Sequence, residues 1–102
     1  MKIVRVHYTV KPEFVAQNRA NIEAVMSDLK RNPIEGMRYS CFLLPDGGSF
    51  MHLNIARDQA AIDELTGREP FKEFQKQLKA SGPVSPPKPE DLTLVGAGFE
   101  ML

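Results

Sequence analysis

The sequence predicts a ferredoxin-like α+β fold, β-α-β-β-α-β, from three observations. Two-residue alternation of β-branched and aromatic side chains marks strands near the start, the middle and the end of the chain. Apolar residues at spacings of three and four mark helical segments between them, and turn residues separate the segments in that order. Right-handed crossovers then leave a four-stranded antiparallel sheet with helices on one face. A chain of 102 residues fits one such domain, spanning residues 1–102.

Residues 2–10 read as the first strand, with Val4, Val6, Tyr8 and Val10 on one face and Ile3, Arg5, His7 and Thr9 on the other. The Val4 set has the character of a helix-facing core, which puts Arg5 and His7 on the opposite side. Pro12 suits the first turn of a helix, where a missing N–H costs nothing. From Glu13 to about Arg31 the residues Val15, Ile22, Val25, Met26 and Leu29 make one apolar stripe, and Asn32-Pro33 ends it. Gly36 opens a second strand, Met37 to Leu44. Pro45-Asp46-Gly47-Gly48-Ser49 turns it into a third, Phe50 to Ala56. Asp58 is placed to cap a short helix through Leu65. A further helix to about Ala80 carries Phe71, Phe74 and Leu78. Either the capping-box spacing of Thr66-Gly67-Arg68-Glu69 or Pro70 could start it. Four prolines between Ser81 and Pro89 predict an extended crossing loop, and the last strand is expected from Leu92 to about Phe99.

Thirteen basic and thirteen acidic side chains cancel. A nucleic-acid binder needs surplus positive charge, so that class is set aside. The longest apolar runs are too short to cross a bilayer, and no membrane partner is expected. Met1 to Val6 alternates apolar and charged residues, unlike the apolar stretch of a signal peptide. Cys41 is the single cysteine, so no intrachain disulfide forms and a reducing cytoplasm is the expected location. No metal-ligand spacing, phosphate-binding loop or dinucleotide fingerprint is present, and neither metal nor cofactor is expected.

Both faces of the strands carry large apolar groups. Strand two offers Met37, Tyr39, Cys41 and Leu43 on one side and Phe42 and Leu44 on the other; strand three offers Met51, Leu53 and Ile55 opposite Phe50. Helices can cover only one face, and a sheet wetted on the other should alternate more cleanly. A second copy packed against the open face solves this, so the chain is expected to be a homodimer.

Three stretches carry a resemblance across nearly the whole chain. They are Val10-Lys11-Pro12, Pro33-Ile34-Glu35-Gly36-Met37-Arg38-Tyr39 and Glu69-Pro70-Phe71-Lys72-Glu73-Phe74. In their order and spacing the sequence resembles the antibiotic-biosynthesis-monooxygenase-like branch of the dimeric α/β barrel superfamily. The resemblance implies a ferredoxin-like protomer, a dimer whose sheets form a barrel, and a small-molecule pocket between sheet and helices. Its enzymes include oxygenases that oxidise polycyclic aromatic phenols without metal or flavin, and a haem-degrading branch. Asn54 and Ala56 stand where the family often has glutamate and tryptophan, and Leu65 stands where the haem-degrading branch has its iron-binding histidine. Leucine cannot ligate iron, so haem degradation is set aside.

Two catalytic candidates share a face of strand three, His52 and Asn54. A neutral histidine could take a proton from a phenol, and an amide could hold the resulting oxyanion, after which the substrate carbanion itself reduces dioxygen. Both His52 and His7 could equally lie in a dimer interface. Asn18 interrupts the apolar stripe of the first helix, and a buried amide needs a partner. That partner is a ligand if Asn18 walls a pocket, or backbone and water if it lies near the helix edge. Tyr8 and Tyr39 could donate to a ligand oxygen or anchor a core edge, and Phe71 and Phe74 could line an apolar pocket or simply fill the core. Cys41, with no cationic neighbour in sequence, reads as an inert buried thiol. The first functional expectation is a monooxygenase acting on a phenolic or quinone-type molecule; the alternative is a non-catalytic small-molecule-binding or stress-associated barrel protein.

Overall fold

In the computed structural model, which describes residues 1–102, strand β1 (Lys2–Thr9) runs into a single 3-10 turn at Pro12–Phe14 and then helix α1 (Val15–Arg31). Strands β2 (Met37–Leu43) and β3 (Ser49–Ala56) form a hairpin. Helices α2 (Gln59–Thr66) and α3 (Glu69–Ala80) follow, and β4 (Ser85–Asp91) closes the sheet in the order β2-β3-β1-β4. Every pairing is antiparallel. This is the predicted ferredoxin-like topology. No helix is long and apolar enough to cross a membrane.

Local chemistry accounts for the boundaries. Pro12 begins the tight turn that feeds α1. In the hairpin loop the Asp46 carboxylate accepts from the backbone N–H of Gly48 and Ser49, which pins the turn. Asp58 caps α2 by accepting from the Ala61 N–H at 3.1 Å. The start of α3 is resolved in favour of Pro70: Arg68 is the N-cap without a side-chain cap, and the Thr66 hydroxyl instead donates to the Asp63 carbonyl. Arg68 fastens this corner to α1, donating to Asp28 and to the Asn32 carbonyl.

The end of the chain departs from expectation. The proline-rich segment is not a crossing loop but the edge strand β4, with Lys88 opposite His7 and Asp91 opposite Val4. An edge strand bonds on one side only, so it tolerates prolines that a central strand would not. Gly82, at φ +66°, makes the turn that brings it back from α3. The strand expected from Leu92 to about Phe99 does not form. Leu92 donates its N–H to the Ile3 carbonyl, and there β1 ends, so the ladder has no further rung. Val95 and Phe99 stand exposed beyond it.

Register fixes the two faces. Val4, Val6 and Tyr8 share the helix side with Phe50, His52 and Asn54, because they pair as Val4–Asn54, Val6–His52 and Tyr8–Phe50. The core lies between that face and the helices, where Tyr8 and Phe50 meet Ile22, Val25, Leu65, Phe74 and Leu78. His7 pairs with Met51 on the open face, alongside Leu53 and Ile55.

Candidate functional site

Strand register also assembles the polar cluster. Cys41 of β2 and Val6 of β1 both sit opposite His52. Tyr8 lies two residues beyond Val6 and Tyr39 two residues before Cys41, so the phenols flank the imidazole diagonally on the same face. Their hydroxyls reach opposite ring nitrogens: Tyr8 Oη lies 2.8 Å from Nε2 and Tyr39 Oη 2.6 Å from Nδ1. The Cys41 thiol lies 3.4 Å from Nε2. Behind Tyr8, Asn18 Nδ2 of α1 donates to the phenol oxygen at 3.0 Å. Phe74 closes over the imidazole with ring centroids 5.4 Å apart, and Phe71 meets both Phe74 and Tyr39 edge to face.

Burial keeps this cluster uncharged. It lowers the pKa of His52 to about 4 and pushes the Cys41 thiol up to about 12. Desolvation likewise raises both phenols above their usual range, with the Asn18 hydrogen bond partly opposing it at Tyr8. At neutral pH the imidazole is therefore neutral, while both phenols and the thiol retain their protons.

The cluster floors a cavity of about 560 Å³ between the sheet and helices α2 and α3. Leu65, Phe71, Phe74 and Val6 give it apolar walls, and Pro83, Pro86 and Pro87 form part of its rim. Lys79 is the only charged residue lining it. Asn54 contributes a buried amide on the floor whose Oδ1 has no hydrogen-bond partner, and whose Nδ2 has only a 3.7 Å contact to Met37 Sδ. No group of three or more His, Cys, Asp or Glu is arranged to hold a metal ion.

Six of the seven residues singled out in the sequence line this cavity: Tyr8, Tyr39, His52, Asn54, Phe71 and Phe74. Asn18 does not. It is completely buried behind Tyr8 and meets the site only through that hydroxyl, so its partner is neither a ligand in the pocket wall nor backbone and water at the helix edge. The reason is helical geometry: Asn18 sits in the same inward stripe as Ile22 and Val25 and points at the sheet. Sequence reasoning missed the contact of Cys41 with His52, although Tyr39 and Cys41 share a strand face. It also missed the proline rim, which depended on seeing β4 as a strand.

The backbone that builds this cavity has solved counterparts. A crystal structure of an antibiotic biosynthesis monooxygenase superposes with a TM-score of 0.79 at 18% identity, covering 94% of this chain and 100% of the other. The chain has the antibiotic biosynthesis monooxygenase fold. Rv0793 from Mycobacterium tuberculosis shares this fold at a TM-score of 0.79 and 19% identity, over 96% of this chain and 98% of its own. SnoaB, a cofactor-independent oxygenase from Streptomyces nogalater, shares it at 0.69 and 18%, over 97% and 98%. At such identities the likeness establishes the antibiotic biosynthesis monooxygenase fold and not the chemistry. No protein-family model matches the sequence, and no curated protein matches it.

Proposed function

We propose that the protein binds a phenolic or quinone-type aromatic molecule in the cavity above His52 and acts on it as a cofactor-independent monooxygenase, within a homodimer. One observation carries this reading: the floor of an otherwise apolar, aromatic-walled cavity presents Tyr39 and an unpartnered Asn54 amide beside a neutral histidine. A cavity of about 560 Å³ is of ordinary size for a small-molecule site. Phe71 and Phe74 offer ring faces and edges to an aromatic body, while Tyr39 and Asn54 meet its oxygens. The fold shared with SnoaB, described as a cofactor-independent oxygenase, supports the same class of chemistry.

In such a reaction the ionised ring supplies the electrons. A ring carbon bearing hydrogen adds dioxygen, the O–O bond then breaks, and the C–H becomes a carbonyl with release of one water. Four electrons pass from the ring to dioxygen, so no external reductant is needed. His52 does not drive ionisation by itself. A histidine near pKa 4 facing a phenol near 10 is mismatched by about six units, or roughly 8 kcal/mol. The favourable contribution is stabilisation of the developing oxyanion by fixed donors in a desolvated site, which suits electron-rich rings that reduce dioxygen readily once ionised, such as dihydroxynaphthalenes.

That same mismatch favours a second reading, a non-catalytic binding protein with the same ligand class. Oxygen uptake with dihydroxynaphthalenes separates the two. Uptake above the uncatalysed rate that falls at least tenfold in Asn54→Leu supports the oxygenase. Ligand-dependent thermal stabilisation with no uptake establishes the binder.

A further inference from the structure

We propose that Asn18 is a positioning residue: it fixes the tautomer of His52 and thereby makes Tyr39 a hydrogen-bond donor to the ligand. The argument follows the protons along the chain Asn18–Tyr8–His52–Tyr39. Asn18 Nδ2 donates to the Tyr8 oxygen at 3.0 Å. A phenol oxygen that accepts there turns its own proton to its other neighbour, Nε2 of His52 at 2.8 Å. The Cys41 thiol, a second proton-bearing group, approaches the same nitrogen at 3.4 Å. The Tyr8 proton turned toward Nε2 needs a lone pair there, and the thiol is able to adopt the same donor role, so this direction leaves Nε2 bare. A neutral imidazole carries one ring proton, so that proton sits on Nδ1 and is donated to the Tyr39 oxygen at 2.6 Å. Tyr39 makes no other hydrogen bond, so its own O–H is free to turn into the cavity that it lines.

Reversing the Asn18 amide would reverse everything downstream. Oδ1 would accept from Tyr8, Nε2–H would donate to Tyr8, and Tyr39 would spend its proton on Nδ1, offering the ligand only lone pairs. The Cys41 sulfur would then accept from that N–H, and the Asn18 atom left without a partner would be Nδ2 in place of Oδ1. A side chain that never touches the cavity thus sets which oxygen the cavity accepts. With the chain in the observed direction, the group seated on Tyr39 is an acceptor, best the carbonyl of a quinone or a phenolate oxygen and more weakly the oxygen of a neutral phenol. This last step rests on the reading that the cavity is a ligand site, whereas the tautomer does not.

The ring nitrogens of His52 report the tautomer directly by nitrogen-15 NMR at neutral pH, with no ligand present. The expected result is a protonated Nδ1 and a bare Nε2 in the wild type, and a mixture of tautomers in Asn18→Leu. Binding of 1,4-naphthoquinone is expected to weaken about tenfold in Tyr39→Phe, the worth of one hydrogen bond, while binding of naphthalene stays unchanged. A wild-type ring protonated on Nε2 overturns the proposal whether or not the Asn18 variant folds, as does equal naphthoquinone affinity in Tyr39→Phe. If neither probe binds while the ring shows Nδ1–H, the tautomer assignment stands and the ligand reading of the cavity is the part that fails.

Discussion

Tyr39 and His52 lie on neighbouring strands and share a 2.6 Å hydrogen bond through Nδ1, while the opposite nitrogen of the same ring is held by Tyr8 at 2.8 Å. An imidazole clamped in this way is only 4% exposed with both ring nitrogens engaged, and it strongly resists a second proton. The consequence for stability follows from linkage. The unfolded chain takes up a proton on this histidine near the ordinary 6.5, whereas the folded chain does so only near 4. Between those values the unfolded state binds more protons, so stability is lost as the pH falls from about 6.5 to about 4. The span is worth about 3 kcal/mol. Urea midpoints measured at pH 7 and pH 4 are expected to fall further for the wild type than for His52→Phe. Equal losses would mean that the imidazole is hydrated.

The phenols give the complementary result at the alkaline end. Burial raises both Tyr8 and Tyr39, so the folded state holds its phenolic protons where the unfolded chain releases them. Stability contributed by these groups is complete below about pH 10 and declines above it. The chain has two tyrosines and no tryptophan, so its tyrosinate absorbance is unobstructed. Native protein at about pH 10.5 is expected to show almost none, and the signal should rise together with the unfolding transition. A smooth titration near 10 in folded protein would contradict the buried network.

Asn54 sets function against stability. Its Oδ1 is buried without a partner, and an orphaned polar group costs about 1–3 kcal/mol. Asn54→Leu keeps the branched outline of the side chain, removes the orphan and has the cavity to take its extra bulk, so the ligand-free protein should gain about 1 kcal/mol in denaturant unfolding. The same change should abolish the thermal shift produced by dihydroxynaphthalene. A variant that is less stable than the wild type would show that the amide is already satisfied.

What was readable in the sequence, and what was not, has physical reasons. Two-residue alternation in β1 placed Val4, Val6 and Tyr8 on the helix side and His7 on the other, because register leaves a strand no freedom once one face is buried. The inward stripe of α1 located Asn18, but periodicity gives only a direction and not what is met at its end. Tyr8 waits there, not a ligand. The sequence does not choose between pocket and interface for His52, because alternation in β3 is ambiguous when Met51, Leu53 and Ile55 are as apolar as the other face. Only pairing with Val6 and Cys41 decides it. The last strand lies earlier than the sequence predicts because Leu92 and Leu94 alternate well, while the prolines of β4 argue against a strand. Strand propensity is local, and the supply of partner backbone is not.

The open side of the sheet yields the final prediction. Phe42 is 51% exposed there, and the half-buried Met51, Leu53 and Ile55 share its face. From its edge the tail beyond Leu92 leads away with Val95 wholly exposed and Phe99 72% exposed. A monomer would leave Phe42, Val95 and Phe99 largely in water and the rest of that face partly so, whereas two copies can cover each other's sheet and tail. Sedimentation at micromolar concentration is expected to give twice the 11.4 kDa of one chain. Leu53→Glu, which sets like charges facing each other across such an interface, should yield single chains. Deleting residues 94–102 should weaken association at least tenfold while barely changing the His52 network, since these residues make no contact with it. A wild type that sediments as one chain would remove the dimer from the proposed function and leave the cavity of each protomer as the unit that binds.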